Sequence, residues 1–129
     1  MADCIFCKIL DNIIPSRKIY EDTDVMVIMD AFPAANYHLL IIPKDHCIKF
    51  SELSDAKVQK LAIITRNMCQ KLEKLGVDNY NILNNNGVVA GQVVHHVHIH
   101  IIPKFENQGV SCTFAKPSVD LDAIFLDLK

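Results

Sequence analysis

The chain has 129 residues, of which 50% are hydrophobic and 22% charged, and its formal net charge is −2. This length and composition predict a single domain, residues 1–129, with a core of its own. Acidic and basic residues are interspersed, so no polynucleotide partner is expected. The first residues lack a basic and then apolar leader, and no run of about 18 apolar residues occurs, so no membrane partner is expected. We expect a cytoplasmic protein, or also a nuclear one if it is eukaryotic.

The first half of the chain predicts one short helix and three strands. Apolar side chains at helical spacing over residues 4–11 predict the helix. An acidic turn at residues 21–24 separates two β-rich runs, residues 18–20 and 25–29, which predict a hairpin. A third strand is predicted over residues 37–42, because Pro43 ends it.

The second half predicts the main helix and two further strands. Residues 54–75 carry apolar side chains at three- and four-residue steps, with Ser54 able to cap the helix and Gly76 to end it. Strands are predicted over residues 80–83 and 93–102, with a loop between them and a helical turn within residues 119–128. Because the strands follow one another with few helices between them, we expect an α+β fold. Its antiparallel five-stranded sheet would carry one long and one short helix.

Four of the six histidines fall within residues 95–100. Alternate side chains of a strand share a face, so His96, His98 and His100 are expected to point the same way. At about 3.3 Å per residue the three rings spread over roughly 13 Å, too far for all of them to bind one metal ion. A metal held by His98 and His100 remains an alternative. The row of three histidines fits an extended phosphate substrate better than it fits a metal ion, with one ring as nucleophile and the others as hydrogen-bond donors.

The string GQVVHHVHIHIIPK, residues 91–104, resembles the signature of the histidine triad (HIT) family, in which three histidines alternate with apolar residues after Gly-Gln. The likeness extends to the CIFCKI start, to the Asp30 and His38 regions and to the Asn-rich loop over residues 84–91. It implies an enzyme in which His98 attacks the α-phosphorus of a nucleotide. The same resemblance implies that this is a purine nucleotide. The covalent nucleotidyl-histidine is then released by water, as in adenosine phosphoramidate hydrolysis. A homodimer is also implied.

The resemblance implies a role for each further residue of the site. His38 and His100 would donate hydrogen bonds to the phosphoryl oxygens, and a main-chain carbonyl would orient the second ring nitrogen of the nucleophile. Asn85 and Gln92 would position the phosphate and the leaving group. Asp30 would hold the ribose hydroxyls. The base pocket would be lined by three residues of the first helix, for which plain core packing is an equal alternative: Ile5, Phe6 and Ile9.

Cys4 and Cys7 form a Cys-x-x-Cys pair one helical turn apart, so both thiolates can reach one ion. Zinc is the expected ion, in a structural role. Candidates for the two remaining ligands are His46 and His96, as the likeness to cysteine-containing members of the family also implies. A pair of reduced thiols without a metal and a redox pair are the alternatives. The neighbours His95 and Cys47 could substitute for the proposed ligands.

Two other functions stay open from the sequence. One is dinucleoside polyphosphate hydrolysis, because the ending His100-Ile-Ile-Pro-Lys resembles that branch of the family. The other is a nucleotide-binding regulatory or scaffold protein with residual catalysis. Val93 stands where many family members carry Ser or Thr, so a hydroxyl contact to the leaving group is missing and the leaving-group preference is open.

Overall fold

A five-stranded sheet forms the centre of the computed structural model, which describes residues 3–129. All paired strands are antiparallel, in the order β1-β2-β3-β5-β4. Among residues 3–129 no helix is both long and apolar enough to cross a membrane. The predicted α+β class with an antiparallel five-stranded sheet is confirmed. In chain order the elements are α1 Ile5–Leu10, β1 Lys18–Glu21, β2 Val25–Met29, β3 Leu39–Pro43, α2 Asp55–Lys74, β4 Tyr80–Leu83, β5 Ile99–Pro103 and α3 Leu121–Leu128.

Both faces of the sheet are buried, each against a different helix. On one face, Val27 and Ile41 pack with the buried side of α2, including Leu61. On the other, Met26 and Ile42 pack with buried residues of α1. Burial on both sides explains why β2 and β3 read as continuous apolar runs rather than as alternating ones. The long and the short helix therefore lie on opposite faces of the sheet.

Helix α2 has the ends that the sequence predicts. The hydroxyl of Ser54 accepts a hydrogen bond from the backbone N–H of Lys57 over 3.3 Å, which caps the first turn. At the other end Gly76 adopts a positive φ of 85°, and the N–H of Val77 donates to the Leu72 carbonyl over 3.0 Å. Such a left-handed glycine closes a helix with little steric cost.

The fifth strand is shorter than predicted. It begins at Ile99, whereas the sequence predicts a strand from Val93 onward. Residues 93–98 do not join the hydrogen-bond ladder of the sheet, because their backbone groups form other hydrogen bonds. The N–H of Val97, for example, donates to the Cys47 carbonyl over 2.8 Å. The alternation of side chains continues without the ladder, since the rings of His98 and His100 still lie 4.9 Å apart, centroid to centroid.

The C-terminal segment forms a full helix rather than one helical turn. Helix α3 begins after Asp120, whose side chain accepts a hydrogen bond from the N–H of Ala123 over 3.1 Å. Every residue from position 111 to 129 is exposed, including the apolar ones. Of the three α-helices within residues 3–129, only α1 and α2 bury side chains against the sheet.

Candidate active site

The ring of His98 is held in one tautomer by the backbone. Its Nδ1 lies 2.7 Å from the carbonyl oxygen of His96, an obligate acceptor, so Nδ1 carries the proton and Nε2 keeps a free lone pair. The ring is 6% exposed and meets the Phe6 ring edge to face at 4.8 Å. Its own carbonyl accepts a hydrogen bond from the Asn84 side chain over 2.9 Å. The main-chain carbonyl that the resemblance implies is therefore that of His96.

His38 and His100 form a hydrogen-bonded pair whose tautomers follow from the same argument. The backbone N–H of Ala34 donates to Nδ1 of His38 over 3.0 Å, so the proton of that neutral ring lies on Nε2. This N–H points at Nδ1 of His100, 2.9 Å away. His100 accordingly carries its proton on Nε2, where it is available as a donor. In this arrangement His38 acts on His100, and its predicted contact with a phosphoryl oxygen stays a prediction.

Burial favours the neutral form of all three rings. Removal from water lowers the pKa of His38 and of His98 below the usual value. For His100 burial, reinforced by the two neighbouring rings, lowers the pKa to about 4. At neutral pH the site therefore presents one free imidazole lone pair beside one ring N–H.

Asp30 lies beside this pair at the end of β2. One carboxylate oxygen accepts the N–H of Phe32 over 2.8 Å, and the other lies 3.4 Å from Nε2 of His38. The donor atoms of Asp30, His38 and His100 are close enough together to surround a metal ion. The tautomer of His38 argues against a metal ion here. A histidine that binds a metal through one ring nitrogen normally donates a hydrogen bond from the other, whereas Nδ1 of His38 accepts a hydrogen bond from a backbone N–H. A metal between His98 and His100 fits no better, since Nδ1 of His100 already accepts a hydrogen bond from the Nε2–H of His38 and its Nε2 carries the ring proton.

The Asn-rich loop uses most of its amides to hold itself together. Gln92 is buried, and its amide donates to the carbonyls of Ile48 and Val94 while its oxygen accepts the N–H of Gly87. Asn85 is half-buried and donates to the carbonyl of Gly91 over 3.4 Å. The phosphate contacts predicted for both side chains stay predictions.

Two asparagines that were not predicted as site residues stabilise the backbone around His98. Asn84 donates to the carbonyl of His98, and its own oxygen accepts from the Asn86 side chain over 2.6 Å. Asn86 in turn accepts the N–H of Phe50 over 2.8 Å. The run of three consecutive asparagines was the available signal, but an Asn-rich turn by itself does not indicate which amide faces the site.

The residues proposed for the base pocket divide into two groups. Phe6 and Ile9 are buried in the core between α1 and the sheet, and Ile5 is exposed. Phe6 also contacts the ring of His98, so α1 lies directly against that histidine. Val93 is exposed at the end of the loop. A base contact by the three α1 residues stays a prediction.

A second cluster, made of Cys4, Cys7, His46 and His96, could hold a metal ion. Nδ1 of His96 lies 3.5 Å from Sγ of Cys4, 3.6 Å from Sγ of Cys7 and 3.2 Å from Nδ1 of His46. A zinc tetrahedron with ordinary Zn–N and Zn–S bonds has edges of roughly 3.3 to 3.8 Å. Nε2 of His96 lies 2.7 Å from the Pro43 carbonyl, which leaves Nδ1 unprotonated and turned toward the other donors.

The two substitute ligands considered for this cluster lie outside it. Cys47 has its Sγ 3.8 Å from the Lys49 carbonyl, and burial raises the pKa of its thiol. His95 is exposed. The four donors of the cluster are therefore the four that the sequence and the resemblance indicated.

Comparison with known proteins agrees with this geometry. Residues 12–107 match the family model of the HIT domain. A HIT-like protein of Methanocaldococcus jannaschii is 42% identical over 98% of this chain and 98% of its own. The adenosine 5'-monophosphoramidase of Schizosaccharomyces pombe is 42% identical over 78% of this chain and 74% of its own.

Solved structures give the same result. A hypothetical protein from Leishmania major has a TM-score of 0.91 and 35% identity, covering 98% of this chain and 91% of that one. A zinc-bound histidine triad family protein from Mycobacterium smegmatis has a TM-score of 0.78 and 30% identity, covering 85% and 81%. Sequence and fold agree along most of the chain, and the protein belongs to the histidine triad family.

Proposed function

We propose that the protein hydrolyses a purine nucleoside phosphoramidate, or AMP joined to another small leaving group, through a covalent nucleotidyl-histidine on His98. The observation that carries the proposal is the backbone carbonyl of His96, which fixes the His98 proton on Nδ1 and leaves Nε2 free to attack. The named activities of relatives, such as the adenosine 5'-monophosphoramidase of Schizosaccharomyces pombe, support it.

The reaction would proceed in two displacements at the α-phosphorus. In the first, the lone pair on Nε2 of His98 forms a bond to phosphorus while the bond from phosphorus to the leaving nitrogen breaks, and the amine departs with a proton taken from solvent. In the second, water attacks phosphorus and gives up a proton to solvent, the bond from phosphorus to Nε2 breaks with its electron pair returning to Nε2, and the nucleoside monophosphate leaves. The Nε2–H of His100 would stabilise charge on the phosphoryl oxygens in both steps.

Rapid-quench mass spectrometry tests this proposal. Incubation with an adenosine phosphoramidate should give a protein species heavier by one adenylyl group, with the added mass on the peptide that contains His98. His98→Ala should abolish both this species and turnover. Unchanged turnover by His98→Ala on every nucleotide tried would reject the nucleophile and favour a binding or scaffold role. Faster turnover of a diadenosine polyphosphate than of the phosphoramidate would instead favour dinucleoside polyphosphate hydrolysis.

We also propose that Cys4, Cys7, His46 and His96 hold a structural zinc ion. The near-tetrahedral donor spacing supports it, as does the hydrogen bond from His96 to the Pro43 carbonyl. Such an ion would tie α1 to the sheet and leave no ligand position for catalysis. Metal analysis should find one zinc per chain in the untreated protein and none in Cys4→Ala, Cys7→Ala. Only a trace of zinc in the untreated protein would reject the site.

A homodimer is the third part of the proposal. Its support in this chain is the exposed apolar surface of α3, which includes Ile124, Phe125 and Leu128. An eight-residue helix is marginal in water on its own, and exposed apolar patches often mark interfaces.

A further inference from the structure

The turn formed by residues 105–108 lies directly after β5 and reaches back to the loop between β2 and β3. Phe105 and Gln108 pair across the turn, and the N–H of Phe105 donates to the Gln108 carbonyl over 3.0 Å. The side-chain oxygen of Gln108 accepts the backbone N–H of Asn36 over 2.8 Å. The next residue, Gly109, donates its N–H to the carbonyl of Ala34 over 2.9 Å. Two hydrogen bonds thus join this turn to the β2–β3 loop.

That loop controls the ring of His38 through its backbone. The N–H of Ala34 donates to Nδ1 of His38, and the N–H of His38 donates to the Ala35 carbonyl over 3.2 Å. The intervening Tyr37 has a φ of 65°, a conformation that costs a residue with a side chain of order 1 kcal/mol or more. Strained backbone of this kind persists only where surrounding contacts enforce it.

The close approach of the turn is specific to glycine at position 109. Gly109 has a φ of 103°, and a Cβ there would lie 2.5 Å from the Pro103 carbonyl oxygen and 3.1 Å from the Lys104 Cα. Glycine alone adopts this backbone conformation without strain. Because Pro103 ends β5, the strand that carries His100 also positions the turn that holds the loop of His38.

We propose that Gln108 is a positioning residue that acts through the β2–β3 loop to fix the tautomers of His38 and His100. The role in catalysis rests on the proposed function, whereas the effect on the tautomers does not. Without the Gln108 hydrogen bond, the loop is joined to the turn only by the bond from Gly109 to the Ala34 carbonyl, so the N–H of Ala34 is held less firmly on Nδ1 of His38. That ring can then place its proton on Nδ1 and cease to donate to His100. His100 in turn loses the partner that keeps its own proton on Nε2.

Nitrogen NMR of the imidazole rings, together with steady-state kinetics on an adenosine phosphoramidate, tests this proposal. Gln108→Met removes the acceptor and keeps the chain length, Gln108→Glu keeps an acceptor oxygen, and Glu106→Gln is a control in the same turn. The wild type should show His38 and His100 each as a single Nε2–H tautomer. Gln108→Met should show mixed tautomers at His38. Its kcat should fall about 2- to 10-fold, the equivalent of one neutral hydrogen bond, with KM unchanged.

Gln108→Glu and Glu106→Gln should keep the wild-type tautomers and kcat. A single unchanged tautomer at His38 in Gln108→Met would overturn the proposal whatever the activity, and so would mixed tautomers with an unchanged kcat. If even the wild type hydrolyses no phosphoramidate, the proposed function fails, and the NMR comparison still decides whether Gln108 sets the tautomer. Gln108→Ala, which also lacks the acceptor, replaces Gln108→Met if that variant does not fold.

Discussion

At the scale of single residues, the backbone decides what each histidine can do. His96 and His98 each donate to a carbonyl and keep one bare nitrogen, but the bare nitrogen of His96 is Nδ1 and that of His98 is Nε2. Nδ1 of His38 accepts a hydrogen bond from a backbone N–H instead, so the ring proton lies on Nε2 and is donated as a hydrogen bond to His100. Under the proposed function, four copies of one side chain would thus become a metal ligand, a nucleophile, a positioning group and a donor. Their hydrogen-bond partners make the difference.

The lowered pKa values predict how activity depends on pH. Since the proposed attack needs the neutral ring of His98, and burial lowers the pKa of that ring, kcat/KM should stay level down to below the usual histidine pKa of about 6.5. A pH-rate profile on an adenosine phosphoramidate measures this. An acidic limb centred at or above the usual histidine value would contradict it.

The lowered pKa of His100 predicts how the stability of the fold depends on pH. His100 has a pKa of about 4 when folded, below its unfolded value, so the unfolded chain binds more protons between the two values. The free energy of unfolding should therefore fall as the pH drops from about 6.5 toward the folded pKa. Urea denaturation across this window measures the slope. His100→Gln should show a shallower slope than the wild type, and an equal slope would refute the assignment to His100.

Asn84 should matter for activity although it was not among the predicted site residues. Asn84→Leu removes the donor to the His98 carbonyl, and the loss of one such hydrogen bond costs about 0.5 to 1.5 kcal/mol. We expect kcat to fall about 2- to 10-fold, because the backbone that carries the nucleophile is less firmly held. Steady-state kinetics measure this, with Asn81→Leu, an exposed position on the preceding strand β4, as the control. Equal kcat in the two variants would count against the role.

At the scale of elements, the site is assembled where three segments meet. β3 follows directly on His38, β5 carries His100, and α1 presses Phe6 against His98. The register pairs Leu40 with His100, so His100 points to the α1 face while Ile99 and Ile101 point to α2. One strand thus contributes to the core with one face and to the chemistry with the other.

The N-cap of α2 should contribute measurably to stability. Ser54→Ala removes the hydroxyl that accepts the Lys57 N–H, and such a change typically costs about 1 kcal/mol. The free energy of unfolding, obtained from denaturant titration, should fall by about that amount. Ser51→Ala, at an exposed site in the short 3-10 turn Phe50–Glu52 before α2, is the matched control. If the free energy of unfolding of Ser54→Ala falls no more than that of the control, Ser54 does not stabilise the helix as a cap.

Removal of the metal should loosen α1 in particular. Cys4 caps this six-residue helix and Cys7 lies within it, so the proposed zinc ion would join α1 to His46 and His96. After chelation, or in Cys4→Ala, Cys7→Ala, we expect faster amide exchange over α1 and a lower Tm. Exchange in α2 should change much less. Equal protection of α1 with and without metal would show that its core packing alone is sufficient.

At the scale of the whole molecule, the described chain is an open sheet with a helix packed on each face and an exposed C-terminal segment. α3 carries Phe125 and Leu128 at 61% and 82% exposure, while the core residues of α2 are almost fully buried. A helix with its apolar side chains in water gains little from forming. A second copy of the chain is the partner expected from the resemblance.

Light scattering of the full chain should therefore give the mass of two chains. Phe125→Asp should shift the protein toward the monomer, because it places a charge in the proposed contact. Ile13→Asp, at an exposed apolar residue outside α3, should leave the mass unchanged. A dimer that resists Phe125→Asp would place the interface elsewhere, and a monomeric wild type would refute the dimer.

The sequence by itself determined the helix α2 with both of its ends, the presence of five strands, the family and the four residues that cluster as possible metal ligands. These features depend on patterns that are local, or on side-chain types whose chemistry is restricted: apolar periodicity, capping residues, paired cysteines and alternating histidines. The early start predicted for the fifth strand was wrong, because a run of alternating residues does not reveal whether a partner strand lies beside it. β4 and β3 reach only as far as His100 and Ile99.

Only the tertiary structure decided the tautomers and the supporting contacts. Ala34 and Gln108 carry no local signal of a role, and the Asn-rich run does not indicate which amide supports the site. Each of these residues acts through a hydrogen bond to a residue distant in the sequence or through the backbone rather than its side chain. The proton position on a histidine is likewise absent from the sequence, since it depends on whether the neighbouring group donates or accepts. Local chemistry therefore determined which residues form the site, and the folded chain determined what each of them does.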